Sequence, residues 1–205
     1  MVEVFYDRRG KEKYADDVIP FEQKGYFAIL VKDDRVLVTY PPQVSVPEFP
    51  GGSAGRREDF RGCLFRKLFE ETGIEFMLDG GLRKYEQNVN YFADDARPFG
   101  EFCKYDMTFI VYDASSYGFD TGKEHWKTPE NGLAAWLDIN DIFEGKTKIN
   151  YAHWLAFQKL FADKCKVWFF RALRLSRCSR VMALYTCAAL LLALGTFREA
   201  AFRYR

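Results

Sequence analysis

Residues 51–74 read GGSAGRREDFRGCLFRKLFEETGI, a glycine-rich opening followed by mixed polar and apolar residues. Pro50 stands directly before this stretch and fixes an extended backbone at its entry. Gly51 and Gly52 have no side chain, so the backbone at these two positions can approach another group closely. The opening of the stretch therefore predicts a loop that brings its backbone close to another group.

The second half of the stretch carries the signals of a helix. Glu58 and Asp59 stand where the helix begins, because acidic side chains are favoured near the positive end of the helix dipole. Gly73 follows the last periodic residue and is a natural left-handed helix stop. The sequence therefore predicts a helix of about four turns between these two signals.

The side chains of this helix divide by face. An apolar stripe that recurs every four residues, and suits packing on a sheet, consists of Phe60, Leu64 and Leu68. Lys67, Glu70 and Glu71 are spaced i, i+3 and i+4, so they share another face. Adjacent carboxylates are costly unless a cation lies between them, and Mg²⁺ suits oxygen ligands and substrate phosphates. The alternative is a solvated acidic turn at a helix end, and spacing alone does not separate the two.

The same residues resemble the Nudix box, whose pattern is Gly, five residues, Glu, seven residues, Arg-Glu-aliphatic, one residue, Glu-Glu, one residue, Gly-aliphatic. The positions in register are Gly52, Glu58, Arg66, Leu68, Glu70, Glu71, Gly73 and Ile74. One defined position departs from the pattern, because Lys67 stands where a glutamate should follow the arginine. A long gapped pattern is a far more specific signal than a short glycine motif. The likeness extends more loosely from Gly25 to Lys164.

The resemblance implies a role for each matched position. Divalent metal, Mg²⁺ or Mn²⁺, is expected on Glu58, Glu70, Glu71 and the backbone carbonyl near Gly52. The residues implied for catalysis are Arg66, Lys67, Glu70 and Glu71, with Arg66 orienting the carboxylates. The residues implied for substrate binding are Gly51, Gly52, Arg66 and Lys67.

The reaction implied by the resemblance is hydrolysis of a diphosphate linkage in a nucleoside diphosphate derivative, by a water that the metal activates. Lys67 allows two different functions for the domain. A lysine at this position either binds a phosphate oxygen itself or neutralises the carboxylates beside it. In the second case the domain is a catalytically impaired module that binds nucleotides or regulates, tethered to a membrane by its tail. Members of the family often add a carboxylate from outside the box, and the candidates here are Glu130 first and Glu101 second.

The composition sets limits on the class of protein. The 205 residues suit one domain with appendages, and the net charge of +1 argues against a dedicated nucleic-acid binder. The five cysteines, at positions 63, 103, 165, 178 and 187, have no paired spacing. They predict a reducing compartment and no disulfide or zinc framework. The first residues lack a basic region followed by an apolar run, so we expect no secretory signal and a cytoplasmic location.

The remaining chain mixes strand and helix patterns. A hairpin is predicted from Tyr26 to Tyr40, with its turn at Asp33-Asp34 and its end at Pro41. Further strands are predicted over residues 74–78, 84–92, 102–112 and 134–138, a polar loop over 113–132, and an amphipathic helix over 151–164. This mixture predicts an α/β fold with a central mixed sheet. The resemblance implies an α/β/α sandwich.

The sequence divides into a lead-in over residues 1–24, a Nudix-like domain over residues 25–164 and a helical tail over residues 165–205. The tail holds eight basic residues and one acidic residue, and residues 181–197 carry no charge. That length is at the lower limit for a membrane span. Three interpretations stay open: contact with an anionic membrane, a helical hairpin packed on the body or on a partner, and sequence that is not native to the protein.

Overall fold

The computed structural model describes residues 2–42, 44–75, 83–94, 100–114 and 123–162. Its strands are β1 (Glu3–Tyr6), β2 (Glu12–Ala15), β3 (Phe21–Lys32), β4 (Arg35–Tyr40), β5 (Gly51–Ser53), β6 (Arg83–Ala93), β7 (Glu101–Asp113), β8 (His125–Lys127) and β9 (Leu133–Asp138). Its helices are α1 (Phe60–Thr72), α2 (Ile139–Phe143) and α3, which is described over residues 151–162.

The described strands form one mixed sheet in the order β2-β1-β6-β7-β3-β4-β9-β8, and β5 joins β3 beside this path. β3 runs parallel to β7 from the pair Phe21–Cys103 to the pair Val31–Asp113. β3 pairs with β4 only at its far end, and with β5 through Gly25–Phe27. β3 and β4 therefore separate where the glycine loop, as β5, pairs with β3.

Each face of the sheet carries a helix. Alternate residues of β7, such as Phe109 and Val111, pack with α3 in one apolar cluster. The residues between them, such as Ile110 and Tyr112, pack with Leu64 and Leu68 of α1 in a second cluster. This alternation follows from the two-residue period of a strand. The predicted α/β/α sandwich with a mixed central sheet is confirmed.

The predicted hairpin is confirmed in its turn and in its end at Tyr40, but its first strand begins at Phe21 and not at Tyr26. β3 and β4 are antiparallel neighbours, and Asp33 in their turn has a φ angle of 55°. β4 ends at Tyr40, directly before Pro41. The strands predicted over residues 84–92, 102–112 and 134–138 all lie within observed strands.

Part of the predicted loop over residues 113–132 is wrong. Residues 125–127 form β8, which pairs with β9, and the indole Nε1 of Trp126 donates to the Thr72 carbonyl oxygen at 2.6 Å. A strand this short has too few residues to show a two-residue period, so its partner strand decides it. Ile74 and Glu75 lie in no strand, contrary to the prediction for residues 74–78, whose other residues lie outside the described parts.

The lead-in over residues 1–24 contributes strands to the same sheet. β1 and β2 pair at one sheet edge, and β1 pairs in parallel with β6 at Tyr6–Tyr91. The carboxylate of Asp7 holds the turn between β1 and β2 by accepting from the backbone N–H groups of Arg9 and Lys11, both at 2.9 Å. β3 begins at Phe21 and so runs across the boundary predicted at residue 25.

The tail predicted over residues 165–205 lies outside the described residues, and its three interpretations stay predictions. Within the described ranges up to residue 162, no helix has both the length and the apolar character needed to cross a membrane.

Candidate active site

The glycine loop lies tightly against β3. Gly51 and Gly52 have φ angles of 149° and 155°, a region that L side chains rarely adopt. A Cβ atom on Gly51 would collide with the backbone carbonyl of Tyr26, and one on Gly52 would lie 3.3 Å from Cε of Lys67. Close packing therefore requires a glycine at Gly51, as the sequence predicted for the loop, and the φ angle favours a glycine at Gly52.

The ends of α1 are those predicted from the sequence. Asp59 is the N-cap, and its carboxylate accepts from the Gly62 N–H at 2.8 Å. Gly73 is the left-handed C-cap, with a φ of 76°. In the predicted apolar stripe Leu64 and Leu68 are buried, whereas Phe60 stays 38% exposed because it lies in the first turn.

An ion-pair chain runs along the charged face of α1. Arg66 donates to both carboxylate oxygens of Glu58, at 2.9 and 2.7 Å, and to Glu70 at 3.2 Å. The bonds from Arg66, with one from the Gly55 N–H, lower the pKa of Glu58 to about 2. In return, Glu58 raises the pKa of Arg66. Arg66 also donates to the Ser53 carbonyl oxygen at 3.3 Å, so it joins the helix to the glycine loop.

Lys67 lies between the two neighbouring carboxylates. Its Nζ is 2.8 Å from Glu70 Oε2 and 3.8 Å from Glu71 Oε1. Burial lowers the pKa of Lys67, but the hydrogen bond that Lys67 donates to Glu70 and the charges of both glutamates outweigh it and leave that pKa raised. The predicted shared face of Lys67, Glu70 and Glu71 is confirmed, and the ammonium ion pairs with both carboxylates.

Glu71 is the most enclosed of these carboxylates. Its side chain is 13% exposed, and Oε2 accepts from the Gly51 N–H at 3.1 Å and from the Thr39 hydroxyl at 3.4 Å. Burial first, and then the negative charge of Glu48, raise the pKa of Glu71 to about 8. The pKa shows that the favourable charge of Lys67 does not offset the cost of burying this carboxylate.

A cleft of about 300 Å³ opens at this point. Of the site residues predicted from sequence, Gly51, Gly52, Lys67 and Glu71 line it. Glu58, Arg66 and Glu70 form the ion-pair chain on α1 and are not part of its lining. Sequence reasoning missed other polar residues of the lining, namely Arg8, Gln23, Glu48, Asn150 and His153.

The start of α3 holds the segment before the glycine loop. The buried Asn150 donates its N–H to the Pro47 carbonyl oxygen at 2.8 Å and its amide Nδ2 to Glu48 Oε2 at 3.0 Å. His153 Nδ1 accepts from the Phe49 N–H at 2.9 Å. The turn between β1 and β2 also contacts the start of α3, because Tyr151 N–H donates to the Arg8 carbonyl oxygen at 2.9 Å.

His153 gives a prediction on acid stability. Its burial, and then the charge of Arg8, lower the pKa from 6.5 to about 3, so the folded protein keeps the imidazole neutral. The unfolded chain takes up a proton below about pH 6.5, and we expect the free energy of unfolding to fall by up to about 1.4 kcal/mol per pH unit between pH 6.5 and 3 from this residue. Denaturant unfolding of His153→Gln across this range should show a smaller slope. His125→Gln, at the exposed second histidine, is the control and should keep the wild-type slope.

Tyr105 supports the glycine loop from β7. Its hydroxyl lies 3.0 Å from the Ser53 hydroxyl, and its ring packs above Gly25 of β3. A Cβ on Gly25 would come within 2.9 Å of the Gly52 carbonyl oxygen and closer still to the Tyr105 hydroxyl. Gly25 is thus a close-approach glycine that lets β3, β5 and β7 meet below the cleft.

We expect Gly25→Ala to destabilise the fold by about 1–3 kcal/mol, because the added methyl group has no space beside Tyr105 and the Gly52 backbone. Chemical denaturation measures the change. Gly55→Ala is the matched control, since its Cβ would meet only ordinary contacts of 3.5–3.6 Å with Glu58. Equal stability of the two variants would contradict the packing assigned to Gly25.

The two carboxylates predicted from outside the box are both exposed. Glu130 lies near the end of α1, and its N–H donates to the Glu70 carbonyl oxygen at 3.3 Å. Its charge acts on Lys67 and Glu71. Glu101 opens β7 and does not line the cleft.

A divalent cation at this site would depend on the acidic side chains of α1 and of the cleft. Within the described ranges, no three histidine, cysteine, aspartate or glutamate side chains converge as a preformed metal site. Glu70 is paired with Arg66 and Lys67, whereas the ion pair between Glu71 and Lys67 is long, at 3.8 Å. Mg²⁺ commonly binds one or two carboxylates and completes its shell with water and substrate phosphates. The residues therefore fit an open cation site at Glu71 and not a closed cage.

The family profile described as the NUDIX domain matches residues 13–158. The chain belongs to the Nudix domain family, as the resemblance of the box implied. No protein with curated annotation matches the chain.

Solved structures of similar fold include several MutT proteins. The MutT structure from the study of Aliivibrio salmonicida and Vibrio cholerae is 18% identical, covers 69% of this chain and 98% of its own, and has a TM-score of 0.44. MutT from Methanosarcina mazei Go1 is 15% identical, with 73% and 99% covered and a TM-score of 0.49. The MutT Nudix hydrolase from Burkholderia pseudomallei is 18% identical, with 67% and 96% covered and a TM-score of 0.46. The family assignment rests on the profile match.

Proposed function

We propose that this protein is a Nudix-type pyrophosphohydrolase that cleaves a diphosphate linkage in a nucleoside diphosphate derivative with Mg²⁺ or Mn²⁺. The observation that carries the proposal is Glu71, a buried carboxylate at the glycine loop with a pKa raised to about 8. Strongly perturbed carboxylates in clefts are concentrated at functional sites. The family of the chain adds the reaction class.

The residues around Glu71 have separate roles in binding the cation and the substrate phosphate. When bound, the cation supplies charge neutralisation for the diphosphate and increases the acidity of water. Glu71 supplies the negative charge that attracts the cation, and the Gly51 N–H and Thr39 hydroxyl hold it in place. Lys67 lines the cleft and offers an ammonium group for a phosphate oxygen.

Arg66 acts through other residues in this proposal. Its bonds to Glu58, to Glu70 and to the Ser53 carbonyl oxygen keep α1 and the glycine loop in one arrangement. A guanidinium group suits this task because its five donors lie in a rigid plane. Arg66 is therefore a positioning residue for the loop and the charged face of α1.

The rest of the cleft suits a nucleoside. The aromatic rings of Tyr91 and Tyr105 line it, together with the side-chain amide of Gln23. Aromatic faces stack on bases, and amides can pair with base edges. This lining supports a nucleotide over a purely inorganic substrate.

A substrate screen tests the proposal. Purified protein is incubated with nucleoside triphosphates, ADP-ribose, dinucleoside polyphosphates or capped RNA, with Mg²⁺ or Mn²⁺, and products are separated by chromatography. Cation-dependent turnover of any of these supports the enzyme. Cation-dependent binding without turnover supports the impaired nucleotide-binding module instead. Neither binding nor turnover rejects both functions.

We also propose a cytoplasmic location. Cys63 and Cys103 are free buried thiols, and burial raises the pKa of each to about 11. Such thiols are typical of a reducing compartment.

A further inference from the structure

The carboxylates of α1 leave the cation site incomplete. Glu58 is bound by two nitrogens of Arg66, and Glu70 is bound by Arg66 and Lys67. Lys67 also occupies the position where the Nudix box has a further glutamate. Glu71 is then the carboxylate of the helix that lines the cleft, and Mg²⁺ commonly takes one or two carboxylates. A second carboxylate has to come from another element.

Glu48 lies on the wall of the same cleft, just before the glycine loop. Its backbone forms two hydrogen bonds with Thr39 of β4, at 2.8 and 2.9 Å. The Thr39 hydroxyl in turn lies 3.4 Å from Glu71 Oε2 and 3.5 Å from the Glu48 carbonyl oxygen. Both glutamates are thus anchored on one residue of the sheet.

The side chain of Glu48 is oriented by a rigid partner. Asn150, which is 2% exposed, donates Nδ2 to Glu48 Oε2 at 3.0 Å. Asn150 is itself fixed, because its N–H donates to the Pro47 carbonyl oxygen and its own carbonyl oxygen accepts from Trp154 N–H. Carboxylates that bind metals commonly have such an outer hydrogen-bond partner, which sets their orientation.

The two carboxylates line the same cleft of about 300 Å³. Two carboxylates at one cleft are the number that Mg²⁺ commonly takes from a protein.

We propose that Glu48 and Glu71 together bind one divalent cation, with Glu48 supplying the charge that Lys67 removes from the box. Asn150 is the positioning residue that aims the Glu48 carboxylate. The inference rests on the proposed function and names a residue that lies outside the box.

Binding of Mn²⁺ alone tests this assignment without a substrate. Electron paramagnetic resonance of free Mn²⁺ is recorded against protein for the wild type and for Glu48→Gln, Glu71→Gln, Glu130→Gln and Glu124→Gln. We expect Glu48→Gln and Glu71→Gln each to weaken Mn²⁺ binding at least about tenfold. Glu124→Gln removes the same charge from a side chain that is 77% exposed and should bind Mn²⁺ as the wild type does.

Thermal unfolding without metal separates loss of the site from loss of the fold. Glutamine keeps an acceptor for Asn150, so Glu48→Gln should remain folded at the temperature of the binding measurement. Glu48→Asp is a second variant, which keeps the charge but withdraws the carboxylate, and it should bind Mn²⁺ with an intermediate affinity.

Three outcomes overturn the assignment. If Glu48→Gln is folded and binds Mn²⁺ as tightly as Glu124→Gln does, Glu48 is not part of the site. The proposed function still stands in that case if Glu71→Gln loses Mn²⁺ binding. If Glu130→Gln loses more Mn²⁺ affinity than Glu48→Gln, Glu130 is the second carboxylate of the site. A wild-type protein that binds no Mn²⁺ overturns both this inference and the proposed function.

Discussion

Glu71→Gln is expected to lower cation-dependent hydrolysis by about 10²–10³-fold, the usual loss when one electrostatic contact of a transition state is removed. Glutamine has nearly the same volume and keeps an acceptor for the Gly51 N–H and the Thr39 hydroxyl. The change therefore removes the charge and leaves the loop in place. Steady-state turnover of the substrate found in the screen measures the loss.

Stability of the same variant provides an independent check. The pKa of Glu71 is raised from 4.5 to about 8, so the folded protein without metal loses stability as the pH rises from 4.5 through 8. Glu71→Gln should abolish that loss and melt above the wild type at pH 8 when no metal is present. Glu86→Gln, at an exposed position on β6, is the control and should change neither property. Unchanged turnover in Glu71→Gln would remove Glu71 from the cation site.

Lys67→Glu is the second change with a large expected effect. It replaces the ammonium between Glu70 and Glu71 by a carboxylate and restores the Nudix pattern at that face. We expect the affinity for Mg²⁺ to rise at least about tenfold, because the number of ligand charges sets affinity for hard cations. Turnover should rise with it, and Lys67→Ala should lie between the two proteins. Titration calorimetry and steady-state kinetics measure these quantities.

A fall in turnover in the Lys67 variants would assign a different role to the lysine. If turnover falls in both Lys67→Glu and Lys67→Ala, the lysine binds a phosphate oxygen itself, and the impaired-module alternative is rejected. A gain in both affinity and turnover marks the natural domain as impaired by its lysine. Lys146→Glu makes the same charge change on a side chain that is 64% exposed, and it should leave both quantities unchanged.

Local parts of the site could be predicted from the sequence. Spacing of three and four residues places Lys67 against Glu70 and Glu71 on any helix, and the structure has both ion pairs. The helix ends followed in the same way from Asp59 and Gly73, because each caps the helix through its own backbone or side chain. Interactions within one element are thus readable from a short window of sequence.

The other wall of the cleft could not be predicted in this way. Glu48 meets Asn150 across 102 residues, and Phe49 meets His153 across 104 residues. No local period marks such pairs, since they arise only when α3 packs on the sheet. The same reason explains β8, whose three residues gain a strand conformation from pairing with β9.

The bonds between α3 and the segment before the glycine loop also impose an order during synthesis. A ribosome adds about 5–20 residues per second, so roughly 5–20 seconds pass between the addition of Phe49 and of His153. From the addition of Ile74 onward the emerging chain carries every residue of the Nudix box, while the partners that hold Pro47, Glu48 and Phe49 do not yet exist. A nascent chain that stalls before Asn150 therefore has the motif without the bonds that hold the segment before the glycine loop.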